Sequence, residues 1–190
     1  EEEDRVEAEK LEGTLASPSK TSSKMIVLVL SRRDAFDTRN VIRETWAKGH
    51  DNVYFLLGKC CPIPPKQRKQ WACLEAKVPS ASEKNTWTAT CQTVDQKIVD
   101  EQVKYADLIR MDEVDVYRHL PQKLKCGYKW AIENTQAEWL VKTDDDSVVR
   151  VDTLEHYLTT TYNSSNPTVI GDIRKKSIVP KRGKWEEPDY

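Results

Sequence analysis

Asp144, Asp145 and Asp146 are three consecutive carboxylates. They follow the apolar run Trp139-Leu140-Val141, with only Lys142 and Thr143 between. Like charges this close repel, so folding them together calls for a counter-ion. Mg²⁺ or Mn²⁺ answers that need, because such ions take oxygen ligands, usually one or two carboxylates completed by substrate phosphates and water. Asp144-x-Asp146 at a strand end is a pair of that kind. A cation held there would bridge the protein to a diphosphate and neutralise it as a leaving group. The alternative is a solvated turn in which Asp146 or Ser147 caps the next helix.

Arg39 and Arg43 form the second set. Four residues apart, they share one face of a helix, where like charges cost about 0.2–0.5 kcal/mol. A bound diphosphate would reverse that sign, and a helix N-terminus adds partial positive charge of its own. A solvated basic face is the plainer reading of the same pair.

The elements that must position these groups alternate. Met25–Leu30 is an apolar run of strand length, expected to be buried on both faces. A helix follows, capped by Asp37 or Thr38, with Val41, Ile42, Thr45 and Trp46 on one face and Glu44 paired with Lys48. Val53–Leu57 is the next strand, closed by Gly58. Residues 59–93, with Pro62, Pro64 and Pro65, form an insertion. A helix over Thr93–Lys104 leads to the strand Leu108–Arg110. Pro121 opens another helix, whose expected inner face is Leu124, Tyr128, Ala131 and Ile132. Then come the strand Trp139–Val141, the acidic triplet, a helix over about 152–162 and a strand at Thr168–Ile170. The alternation predicts an α/β fold with a mostly parallel sheet covered on both faces. Ligands of such sheets bind beyond the carboxyl ends of the strands, where Ser31-Arg32-Arg33, Gly58 and Asp144–Asp146 all fall.

Composition sets the limits. The 190 residues suffice for one domain with a real core. A net charge of −1 gives no support for a general nucleic-acid role. Residues 1–24, acidic and then rich in Ser, Thr and Lys, are expected to be a disordered tether. Cys60, Cys61, Cys73 and Cys91 cluster in the insertion and Cys126 stands apart. No C-x-x-C pair points to zinc, so disulfides and an oxidising compartment are expected, with buried thiols as the alternative. Asn163-Ser164-Ser165 is a glycosylation acceptor pattern in an expected surface loop.

Taken in order, the motifs resemble one family. Arg39-x-x-Ile42-Arg43-x-Thr45-Trp46, then Phe55-Leu56-Leu57-Gly58, are similar to the opening signatures of the β-1,3-galactosyltransferase family, which includes β-1,3-N-acetylglucosaminyl- and N-acetylgalactosaminyltransferases and Fringe enzymes. Glu101-x-x-x-Tyr105-x-Asp107-Leu108-Ile109 continues the series. So do Asp115-x-Tyr117-x-x-Leu120-x-x-Lys123, Trp130 and Lys142-Thr143-Asp144-Asp145-Asp146. The resemblance spans about residues 25–172.

It implies a GT-A, Rossmann-like nucleotide-diphospho-sugar transferase fold over 25–190, truncated at its C-terminal side, with the Cys-rich insertion at about 59–93. It also implies a UDP-sugar donor, a glycan acceptor on glycoprotein or glycolipid, Mn²⁺ or Mg²⁺, and inversion at the anomeric carbon. By the same resemblance Asp146 holds the metal, with Asp144 beside it on the nucleotide side. Arg39, Arg43, Lys123 and Asp145 then complete the nucleotide-sugar contacts. The implied location is the lumenal side of a Golgi membrane, with a type II anchor outside this chain. The sequence departs from the family in its longer, Cys-rich insertion. It also lacks the family's later Glu-Asp-Val motif, so the catalytic base is expected beyond Tyr190. A UDP-sugar-binding module without catalysis is the alternative. A metal-dependent phosphatase is another, because Asp144-x-Asp146-x-Val148 resembles the haloacid-dehalogenase signature, although that motif normally opens its domain.

Overall fold

A computed structural model describes residues 23–172. Its frame is a four-stranded, all-parallel sheet in the order β3-β2-β1-β4. The strands are β1 (Met25–Leu30), β2 (Val53–Lys59), β3 (Leu108–Val114) and β4 (Trp139–Asp144). The helices are α1 (Phe36–Glu44), α2 (Ala81–Tyr105), α3 (Leu120–Asn134) and α4 (Val151–Thr161).

The apolar run of β1 is buried at all six positions, as expected for a strand with helices on both faces. Alternate residues divide between two cores because successive side chains leave opposite faces. Met25, Val27, Val29, Phe55 and Leu57 meet Ile42 of α1, Ile98 of α2 and Leu158 of α4. Ile26, Leu28, Leu30, Tyr54 and Leu56 meet the α3 side, including Tyr128 and Trp130. Tyr54 and Trp130 pack with ring centroids 5.1 Å apart.

Several sequence expectations shift. α1 begins at Phe36, so Asp37 lies in its first turn and no side chain caps it. It ends at Glu44, which leaves Lys48 beyond the helix and removes the expected i,i+4 pair. Val41 is exposed while Ile42 is buried. α2 starts at Ala81 rather than Thr93 and takes over the second half of the presumed insertion. The missed signal is a capping box: Ser80 Oγ accepts from Glu83 N–H, and the Glu83 carboxylate accepts from Ser80 N–H. α3 buries Lys123, Gly127 and Ala131, and Ile132 faces outward. Gly127 is needed there because a Cβ would strike the buried Leu56 side chain.

The segment at Thr168–Ile170 is not a strand; among the described residues it pairs with no strand, and Val169 and Ile170 are exposed. Order also reaches back before Met25. Ser23 Oγ donates to Glu155 at 2.7 Å and accepts from Asn52 Nδ2, and Lys24 O accepts from Glu138 and Trp139 N–H. Residues 1–22 of the expected tether lie outside the described residues.

Four cysteines form two disulfides, Cys60–Cys91 and Cys61–Cys73, and Cys126 is free. The first ties the segment after β2 to α2, and the second closes a loop within the segment.

Candidate functional site

The sheet order creates one special position. β1 has β2 on one side and β4 on the other, and because the sheet is parallel the carboxyl ends of β1 and β4 open side by side at one edge, forming a crevice. Open α/β sheets bind ligands in that crevice. Ser31 follows β1 and Asp145 follows β4, with Leu30 in register with Asp144. Ser31 Oγ donates to Asp145 Oδ2 at 3.0 Å and joins the two strand ends across the crevice.

The three carboxylates of the acidic turn take different surroundings. Asp145 turns inward to Ser31. Asp144 ends β4 with its side chain about half exposed, and Lys142 Nζ stands 2.8 Å from its Oδ1. Asp146 is exposed in the turn, where Ser147 Oγ donates to it at 3.4 Å. Among the described residues no three His, Cys, Asp or Glu side chains gather in a way that could hold a metal ion. Two carboxylates of the turn could meet a cation from solvent: Asp146, and Asp144 on exchange of its Lys142 partner. That suits a hard divalent cation whose remaining ligands are phosphate oxygens and water.

The arginines are placed otherwise than the sequence suggests. Arg39 is fully buried. Its Nε and Nη2 donate to the two oxygens of Glu101 at 2.8 and 2.7 Å, and its other contacts are Ser31 Oγ and the carbonyls of Arg32 and Arg33. Arg43 donates to Glu101 at 2.7 Å and, through Nε and Nη2, to both oxygens of Asp107 at 2.7 and 2.8 Å. Its guanidinium lies 4.0 Å from the Tyr105 ring centroid. Burial disfavours the charge of Arg43, but Asp107 and Glu101 outweigh it and raise the pKa above the usual arginine value. Burial likewise pushes Glu101 up, and the two arginines hold it below the usual glutamate range.

Glu101 and Asp107 thus supply the negative charge that a diphosphate was expected to bring. The Arg39-x-x-x-Arg43 and Glu101-x-x-x-Tyr105-x-Asp107 segments are two halves of one internal lock. Arg39 and Arg43, expected at the nucleotide, here donate to Glu101 and Asp107 inside the protein. Arg39 still bears on the site, because it holds Ser31, which holds Asp145.

Lys123 is likewise turned inward. It is buried, with Nζ 2.8 Å from Asp115 Oδ1 and 2.7 Å from Ser31 O. Burial lowers its pKa, and Asp115 opposes that shift. The other oxygen of Asp115 accepts from Arg33 N–H at 3.1 Å. Asp115 is therefore firmly positioned as the partner of a buried ammonium. Gly58 makes that arrangement possible. A Cβ there would lie 2.6 Å from Glu113 O and 2.9 Å from Asp115 N, so only glycine lets β2 pass so close to the end of β3.

Beside the crevice opens a cleft of about 260 Å³, lined by Arg32, Arg33 and Asp34 after β1, Cys60 and Cys61 after β2, and Asp115 after β3. Its outer wall is Arg68 of the disulfide-tied segment and Trp87 of α2. Sequence reasoning found neither wall residue, because no local pattern brings them together. Asn163 lies in an exposed turn after α4, as expected, with its side-chain oxygen accepting from Ser165 N–H.

The family described as galactosyltransferase matches residues 88–190, more than half of the chain. The chain belongs to the galactosyltransferase family. The match takes in β3, α3, β4 and the acidic turn, while β1 and the arginine helix lie upstream of it. Among similar proteins, the UDP-GalNAc:beta-1,3-N-acetylgalactosaminyltransferase 2 of Danio rerio is 32% identical over 96 residues, 50% of this chain and 20% of that protein. The Homo sapiens protein of the same name is 33% identical over 97 residues, 50% of this chain and 19% of that protein. The probable beta-1,3-galactosyltransferase 5 of Arabidopsis thaliana is 25% identical over 182 residues, 93% of this chain and 41% of that protein. The chain thus spans between about a fifth and two fifths of these relatives. A parallel sheet flanked by helices agrees with the GT-A-like domain expected of the family. Membership also sets aside the phosphatase alternative.

Proposed function

We propose that this galactosyltransferase-family chain is the donor-binding part of an inverting β-1,3-hexosyltransferase. The donor is a UDP-sugar of the galactose type (Gal, GalNAc or GlcNAc) and the acceptor a glycan hydroxyl on glycoprotein or glycolipid. The observation that carries this reading is the Ser31–Asp145 hydrogen bond, which fixes the acidic turn at the crevice between β1 and β4. Asp146 and Asp144 would hold Mn²⁺ or Mg²⁺, which when bound neutralises charge developing on the departing UDP. Asp145 fixes the turn, Asp144 faces the ribose, and Arg39 and Lys123 hold the β1 end from behind.

An inverting transfer also needs a base to deprotonate the acceptor hydroxyl. The two carboxylates best held near the crevice are both engaged, Asp145 by Ser31 and Asp115 by Lys123 and Arg33 N–H. We assign the base to a residue outside those described here, on an acceptor-binding part. The two disulfides support an oxidising compartment, and we place the protein on the lumenal side of the Golgi membrane. No helix among the described residues is long and apolar enough to cross a membrane. The exposed Asn163 turn suits glycosylation in that compartment.

Calorimetry with UDP and Mn²⁺ tests the site. The chain is expected to bind UDP in a Mn²⁺-dependent manner, and Asp146→Asn is expected to abolish that binding. Unchanged affinity in the variant would remove the metal assignment. A full-length protein that binds UDP yet transfers no sugar would favour the non-catalytic module.

A further inference from the structure

The disulfide-tied segment after β2 reaches the cleft. Cys61 O accepts two hydrogen bonds, from Trp87 Nε1 at 2.7 Å and from Arg68 Nη2 at 3.3 Å. Arg68 Nε donates to Ile63 O. The guanidinium lies 5.1 Å from the Trp87 ring centroid. One carbonyl thus fixes an indole and the cation beside it. Both disulfides hold that carbonyl in place, since Cys61 is bonded to Cys73 and its neighbour Cys60 to Cys91, one turn of α2 beyond Trp87. Among the described residues Arg68 meets no carboxylate, whereas Arg32 and Arg33, on the same cleft, have Asp34 and Asp95. Arg68 is therefore a cation with donors to spare, in a partly buried position.

We propose that Arg68 and Trp87 bind the pyrimidine base of the donor nucleotide, so that the disulfide-tied segment is part of the donor site. The proposal rests on the UDP-sugar reading above and extends it to residues outside the acidic turn. Three features support it. The cleft, at about 260 Å³, is below the usual size of pockets for drug-sized ligands, which suits a base better than an oligosaccharide. Guanidinium and indole both stack on flat π-systems. Asp115, on the same cleft, can accept from the ring N–H of uracil at lone pairs that Lys123 and Arg33 leave open. Ser31, bonded to Asp145 of the acidic turn, is followed directly by Arg32 and Arg33 of this cleft, so the turn and the cleft are joined through the β1 end.

Calorimetry in Mn²⁺ with two probes, UDP and inorganic pyrophosphate, separates the base from the phosphates. Arg68→Ala is expected to weaken UDP about tenfold, the scale of one lost base stack, and to leave pyrophosphate unchanged. Arg68→Lys, which keeps the charge but not the plane, is expected to lose part of the UDP affinity. Unchanged UDP affinity in Arg68→Ala and Trp87→Ala, while Asp146→Asn still abolishes it, would overturn this proposal and leave the donor site standing. Equal weakening of both probes would place Arg68 on the phosphates or in the fold and likewise overturn it. No UDP binding by the unmodified chain would remove the donor reading, and this one with it.

Discussion

Arg39 and Glu101 form a fork-to-fork ion pair across 62 residues of sequence, with N–O distances of 2.8 and 2.7 Å and both side chains buried. The pair pins α1 to α2. Through Arg39 Nη1 and Ser31 Oγ it also reaches the acidic turn. Removing one partner of a buried pair strands the other charge, which costs about 3–5 kcal/mol. Glu101→Gln is therefore expected to destabilise the fold by about that amount in urea unfolding at neutral pH.

The same carboxylate sets a pH dependence. Because the folded-state pKa of Glu101 is depressed, its contribution is fully present above the ordinary glutamate pKa and is lost as pH falls through the lowered value. Stability should therefore decline with acidification, from just above the ordinary glutamate pKa downward. The decline in Glu101→Gln should be shallower. Unfolding midpoints measured across that acid range check the sign, and parallel curves for the two proteins would refute it.

Lys123→Met is expected to cost about 3–5 kcal/mol, because Asp115 is left buried without its cation. Pairing it with Asp115→Asn should recover part of that loss. A double-mutant cycle in denaturant measures the coupling, and strict additivity would show that the two side chains do not depend on each other.

Ser31→Ala removes the Ser31–Asp145 link between the β1 and β4 ends. The hydroxyl also accepts from Arg39 Nη1, so two hydrogen bonds are lost, at about 1–3 kcal/mol in all. Asp145 is then free to swing, so Mn²⁺-dependent UDP affinity should fall by more than the stability change implies. Calorimetry alongside thermal melts separates the two effects.

Gly58→Ala puts a methyl group 2.6 Å from Glu113 O, against backbone that cannot move without shifting β3 and Asp115. Overpacking of this kind costs about 1–3 kcal/mol. A lower melting temperature together with weaker UDP binding is expected, since Asp115 lines the cleft proposed for the nucleotide base.

The sequence by itself determined the α/β alternation, the doubly buried β1 and the acidic turn at a strand end. These are local signals: an unbroken apolar run, a helical repeat, and charges placed just past a strand. It also determined the family, through motifs whose order is fixed along the chain. Its errors fell where a residue's role depends on a distant partner. Arg39 and Arg43 look like an anion site because Glu101 and Asp107 are about sixty residues away, and Lys123 reads as a nucleotide contact because its bonds to Asp115 and to Ser31 O form only when the fold brings the β1 and β3 ends together. The cysteine cluster shows the same limit, since four thiols allow three pairings and only the fold selects one. Tertiary structure decided which charges neutralise each other inside the protein and which stay open. The physical reason is that a buried charge must find a counter-charge in space, and spatial neighbours are set by how the sheet orders its strands.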